Sequence, residues 1–225
     1  MHQPAAAFGL EFVTEVAEGA RYVFGDPWLR SLLLLCWAAA AFTVMPEALA
    51  VPYARDLHGG ATLTGLLLAA NPVGQVVAVV AVSRLPQHRR AATMRPLALL
   101  SCAVLVLAAL HPPAWGVIAV LALSGGGMSF LIGANAAYAA AVPAGLRSRA
   151  FGVAATGLAV GQAIAMLAAG ALAQRVSVAT VVALAGVSGG LVVFALVARW
   201  PHRTIVLPEA SRSVPEPVEW TPEPA

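Results

Sequence analysis

The chain has no lysine; all thirteen of its basic residues are arginine. A glycine loop of the phosphate-cradling kind requires a lysine, so that nucleotide chemistry is excluded. Acid is scarce as well. Glu47 is the only carboxylate inside any of the long apolar runs described below, so paired intramembrane carboxylates are absent. The five histidines are dispersed and none lies within a run. Ser129 and Ser188 sit in glycine-rich settings, but an activated serine needs a base on a neighbouring helix, and none is available. These absences argue against an enzyme, and no catalytic residue, cofactor or metal is expected. The two cysteines, Cys36 and Cys102, show no CxxC or Cys/His spacing and read as small buried apolar residues. Nor does polarity alternate over segments of about ten residues, as the strands of a membrane barrel would require.

What is present is apolar sequence in long stretches. Six runs follow one another: Ser31–Tyr53, Thr62–Val82, Thr93–Leu110, Trp115–Ala141, Ala150–Ala173 and Val178–Ala198. A hydrocarbon core about 30 Å thick takes about 20 residues of helix. The runs are apolar nearly all round, unlike the one-sided helices of a soluble domain. The composition agrees, at 60% hydrophobic and 10% charged residues with mean hydropathy +0.83. The expected fold is an all-α membrane protein with six transmembrane helices, in contact with the lipid bilayer. The chain divides into a lead-in segment (1–30), the six-span domain (31–199) and a tail (200–225).

The arginines are placed unevenly. Arg21 and Arg30 precede the first run. Arg84, Arg89 and Arg90, with Arg95 beyond them, mark the second connection, and Arg147 and Arg149 the fourth. Arg199, Arg203 and Arg212 follow the last run, whereas the opposite side holds only Arg55 and Arg175. By the positive-inside rule both termini and the second and fourth connections are cytoplasmic. The net charge of +3 thus reflects topology, and no continuous basic stripe for nucleic acid is present.

Wound at about 100° per residue, Phe12, Val13, Val16, Ala20, Val23 and Phe24 share one arc, with Glu11, Glu15, Glu18 and Arg21 opposite. This predicts an amphipathic helix at the cytoplasmic surface. Asp26-Pro27 ends it, and Trp28 takes the place of an interfacial aromatic anchor. Ala48-Leu49-Ala50 has the form of a signal cleavage site, but the long acidic segment before the first run is unlike a signal n-region. The tail interleaves Pro201, Pro208, Pro215, Pro217, Pro222 and Pro224 with Glu209, Glu216, Glu219 and Glu223, which predicts a disordered cytoplasmic extension.

Polar groups at membrane depth are costly and usually face a cavity or another helix. Asn71 and Gln75, four apart beside Pro72, form a candidate cavity-facing patch; interhelical hydrogen bonding is the alternative. Asn135 and Gln162 are further candidates for a substrate pathway. Glu47, after the helix-interrupting Pro46, is a candidate for gating or coupling, together with Arg55; its closeness to the outer end allows it simply to reach water. Gly125-Gly126-Gly127 reads as a place of close packing or bending.

Three segments carry a resemblance. Glu18-Gly19-Ala20-Arg21-Tyr22-Val23 with Asp26-Pro27-Trp28-Leu29-Arg30 resembles the junction into the second half of major facilitator superfamily transporters, in the drug and siderophore exporter branch. Val51-Pro52-Tyr53-Ala54 is similar to the end of that family's seventh helix. Val142–Gly152, with Arg147 and Arg149, resembles the loop between its tenth and eleventh helices, although Ser148 stands where the family has glycine. Ser83-Arg84-Leu85-Pro86 with Arg89-Arg90 resembles a degenerate copy of the basic-loop motif.

The resemblance implies the C-terminal six-helix half of a secondary active exporter of small amphipathic molecules in a bacterial plasma membrane. It also implies a second six-span half, either a separate chain or a second copy, unless the chain is a truncated product. A non-transporting accessory subunit or a degenerate transporter remnant is the alternative.

Overall fold

Asp26 and Pro27 set where the bundle begins. In the computed structural model, which describes residues 17–200, the Asp26 carboxylate accepts the main-chain N–H groups of Trp28 (2.8 Å) and Leu29 (3.3 Å). Such a cap contributes about 1 kcal/mol, and proline is well placed at a first helical position. The first span therefore starts at Pro27 rather than at Ser31. Helix α1 (residues 17–25) precedes it. Of the expected amphipathic arc, Phe12, Val13 and Val16 lie outside the described residues, as does the tail from 201. Val23 is buried, while Phe24, Glu18 and Arg21 are exposed.

The first span is α2 (Pro27–Thr43) and α3 (Met45–Ala48), followed by α4 (Ala50–Asp56). The interruptions at Val44 and Leu49 flank Pro46, which has no N–H to continue the ladder. Helix α5 (Ala61–Ser83) runs unbroken through Pro72. Helix α6 (Gln87–Ala103) tightens into a 3-10 segment (Val104–Leu110). Helices α7 (Ala114–Met128) and α8 (Phe130–Ala141) make the fourth span, interrupted at Ser129 after the three glycines. A 3-10 turn (Ala144–Leu146) leads into α9 (Arg147–Ala173), and α10 (Val178–Ala198) closes the bundle. Six stretches are long and apolar enough to cross a membrane, and the described residues contain no strand.

Two helices begin earlier than hydropathy suggests. Arg89 and Arg90 lie at the start of α6, and Arg147 and Arg149 in the first turn of α9. Of these five loop arginines only Arg84, which caps α5, is in the connection itself. Arginine is a good helix former, so hydrogen bonding outlasts the apolar run. At the opposite ends, His58 (φ 57°) and His111 (φ 50°) terminate helices in the left-handed conformation usually left to glycine.

The core comes in two parts. One cluster joins Trp28, Leu29, Leu32, Cys102, Phe130, Tyr138 and Val193. The other joins Leu49, Tyr53, Leu67, Leu105, Val117, Leu121 and Val182. Between them, the first, third, fourth and sixth spans carry their breaks and glycines: Val44, the turn to 3-10 geometry at Val104, Gly125–Gly127, and Gly186 and Gly189. The glycines permit close approach. A Cβ on Gly125 would overlap the Asn71 carbonyl of α5, and one on Gly127 the main chain of Ser101 in α6. Gly189 likewise receives Phe42 and Cys102.

At the first cluster's end α1, the fourth connection and Trp200, just past the end of α10, meet. The Trp28 and Trp200 rings pack edge-on at 6.4 Å. The Tyr22 hydroxyl donates to the Ala141 carbonyl (3.4 Å), and Arg149 pairs with Glu18 (2.6 Å). Gly19 sits directly on Arg149. Two of the segments that carried the resemblance are therefore in contact. Trp28, expected as an interfacial anchor, is instead buried.

Candidate functional site

Aromatic residues of α2 and α8 fix one wall of a pocket against α9. The Trp37 indole N–H donates to the Ala154 carbonyl (2.9 Å), and the Tyr138 hydroxyl donates to the Ala150 carbonyl (2.9 Å). These carbonyls lie one turn apart on α9. The indole rests on Gly157, where a Cβ would stand 2.6 Å from its Cε2. Phe151 meets the Tyr138 ring edge-on at 5.1 Å. The resulting pocket, about 210 Å³, is lined by Leu32, Leu33 and Cys36 from α2, Leu131 and Ala134 from α8, and Leu158 from α9, besides the aromatics.

Asn135 also lines this pocket. The polar ends of Trp37 and Tyr138 are committed to α9, so the Asn135 amide is left as the group able to bond a guest. Walls of this kind, apolar and aromatic with one orienting polar group, suit a small amphipathic molecule.

The other candidates are placed elsewhere. Asn71 and Gln75 are half-buried on α5 and line neither this pocket nor the larger cavity described below. The Asn71 main chain meets Gly125, and Gly74 meets the Ala122 main chain, so the backbones of α5 and α7 cross closely here. Gln162 is half-buried on α9. Helix α5 packs chiefly on α7, and α9 chiefly on α2 and α3. Within this chain the four amides therefore do not form one cluster.

Glu47 is half-buried in the short helix α3, directly after Pro46. Arg55 is exposed in the last turn of α4. No ion pair joins them among the described residues. Arg90 donates from Nε to the Leu85 carbonyl (2.7 Å) and from a terminal nitrogen to the Ser83 carbonyl, tying the second connection together. Arg147 donates to the Val142 carbonyl at 3.5 Å. The sequence pattern singled out Asn135 but not Trp37. No local signal marks Trp37, because its seat at Gly157 and its acceptor at Ala154 are remote in sequence.

The Major Facilitator Superfamily model matches residues 31–223, from the first span to beyond the last. No curated protein and no solved structure matches the chain. The match covers most of the chain and agrees with the six apolar helices, so this protein belongs to the major facilitator superfamily of membrane transporters.

Proposed function

We propose that the chain is one six-span half of a secondary active exporter for small amphipathic molecules, completed by a second six-span unit. The observation that carries this reading is the poor burial of two spans. Only 11% of the apolar window is buried in the second and fifth spans, against 33% to 56% in the other four. Lipid alone accounts poorly for what the fifth span exposes. Gly152, Gly161 and Gly170 have no neighbour within 4 Å where a Cβ would stand, and Gln162 is half-open on the same helix. Small residues and amides in membrane helices belong where another helix approaches. The partner is a separate chain or a second copy.

The Asn135 pocket supports the choice of cargo, since its lining is apolar and aromatic around one amide. The arginine distribution supports cytoplasmic termini, and a bacterial plasma membrane is the proposed location. The test combines the mass of the complex in mild detergent with uptake of a fluorescent lipophilic cation by liposomes. An active species of at least two six-span units is expected. A strictly monomeric chain that moves the dye refutes the partner, and an inactive assembled complex favours an accessory role.

A further inference from the structure

A larger cavity, about 460 Å³, lies between the end of α5, the start of α6, and α8. Its walls are mainly apolar, with Val82, Leu97, Phe130 and Ile132 among them. Two polar groups on it stand out. Ser129 is among the lining residues and is 4% exposed, and its buried hydroxyl has no hydrogen-bond partner. The buried hydroxyls of Thr43, Ser101 and Ser124 all donate to main-chain carbonyls, whereas that of Tyr53, in the second core cluster and away from this cavity, also lacks a partner. Arg90 is the second group. Its bonds to Ser83 and Leu85 orient the guanidinium and leave N–H groups on the terminal nitrogens uncommitted.

No carboxylate lines this cavity, and the sequence has no acidic residue between Asp56 and Glu209. Arg84, Arg89 and Arg95 lie within the same short stretch of chain, so the local charge is positive. A matching occupant has an apolar body, an anionic head for Arg90 and an acceptor for Ser129. Beside the cavity, α5 exposes Val76, Val77 and Val80, an apolar surface that suits an amphiphile already dissolved in the membrane. Basic pockets between spans near a membrane surface bind anionic head groups.

We propose that this cavity is a binding site for an anionic phospholipid, its phosphate held by Arg90 and an ester carbonyl by Ser129. The site is separate from the Asn135 pocket and does not depend on the transport reading. The test is native mass spectrometry of the full chain released from nanodiscs of mixed phosphatidylglycerol and phosphatidylcholine. Retention of phosphatidylglycerol is expected to exceed that of phosphatidylcholine by about tenfold: both carry a phosphate, but in phosphatidylcholine the choline cation offsets its charge and is repelled by Arg90 and the neighbouring arginines. R90Q is expected to bring the ratio to about one. Because Arg90 also ties the second connection, A136F, which fills the cavity from α8, serves as an independent variant. It is expected to lower phosphatidylglycerol retention about tenfold with unchanged helix content by circular dichroism. Equal retention of the two lipids, a ratio unaltered by R90Q, or full retention in A136F overturns the proposal. So does displacement by equimolar inorganic phosphate, which would show a site for the phosphate group alone.

Discussion

Substituting alanine in turn for Gly125, Gly126 and Gly127 tests the packing of the fourth span with its own internal control. Each change removes a helix-interior glycine, which favours the helix by about 1 kcal/mol. The surroundings then separate the three. At Gly125 the new methyl would stand 2.7 Å from the Asn71 carbonyl carbon, and at Gly127 it would stand 2.5 Å from the Ser101 Cα. Comfortable carbon contacts are about 3.5–4.0 Å, so two helix backbones must part by roughly 1 Å. Overpacking of this kind costs about 1–3 kcal/mol, and more where the obstacle is main chain that cannot rotate away. At Gly126 the nearest atoms are the Ala78 Cβ and Gly74 carbonyl oxygen at 3.6 Å, an ordinary contact. G126A is therefore expected to match or exceed the unaltered chain in stability. G125A and G127A are expected to fall below it by up to about 2 kcal/mol, the overpacking cost less the propensity gain. The fraction surviving a heat series in mild detergent, read by size-exclusion chromatography, measures this order. A G125A protein as stable as G126A would falsify the proposed crossing of α5 and α7.

Four further outcomes are expected. W37F removes the hydrogen bond to Ala154 and should cost about 0.5–1.5 kcal/mol more than W28F, whose indole N–H has no partner; equal losses in the same heat series would contradict this. N135A should lower transport of a cargo with a hydrogen-bonding group while leaving thermal survival unchanged, and a parallel fall in stability would make Asn135 structural. Reporter fusions at Pro86 and Gly145 should read as cytoplasmic and those at Gly59 and Pro113 as external, a reversed pattern sinking the orientation. Cysteines at positions 71 and 75, with Cys36 and Cys102 replaced, should react with a water-soluble thiol reagent faster than one at exposed Val76 in the assembled protein. Equal rates would remove these positions from the substrate pathway.

The six spans were legible because their signal is local: each helix is apolar over its own length, whatever its neighbours do. Their ends were less so. Hydropathy stops at the first arginines, whereas the α6 and α9 ladders continue through Arg89 and Arg147. Pro46 marked a break correctly placed by its missing N–H, but Pro72, equally visible in sequence, leaves α5 whole. The triple glycine signalled closeness without saying to what; only the fold separates Gly125 against α5, Gly127 against α6 and the roomier Gly126. Of the pocket, Asn135 was found because an amide in an apolar run is conspicuous. Trp37 was not, since an aromatic residue in a span is unremarkable until Gly157 is seen beneath it. Trp28 misled for the same reason: composition suits it to a membrane surface, and only Trp200 at the other end of the domain explains its burial.

The division of the core into two clusters has a mechanical consequence. Each end of the bundle is a block of interlocked side chains, and the waist between them holds the interruptions of the first and fourth spans, glycines and small hydroxyl side chains, with α5, α9 and α10 running through unbroken. Flexing such a body at mid-height breaks few main-chain hydrogen bonds in the first and fourth spans, whose ladders are already interrupted at Val44 and Ser129, but it must slide α7 over α5 and α6 where Gly125 and Gly127 hold them close. Prising either end apart would open a closed apolar block. Bending of this domain is therefore channelled into sliding at the glycine crossings, with each apolar block moving as a unit.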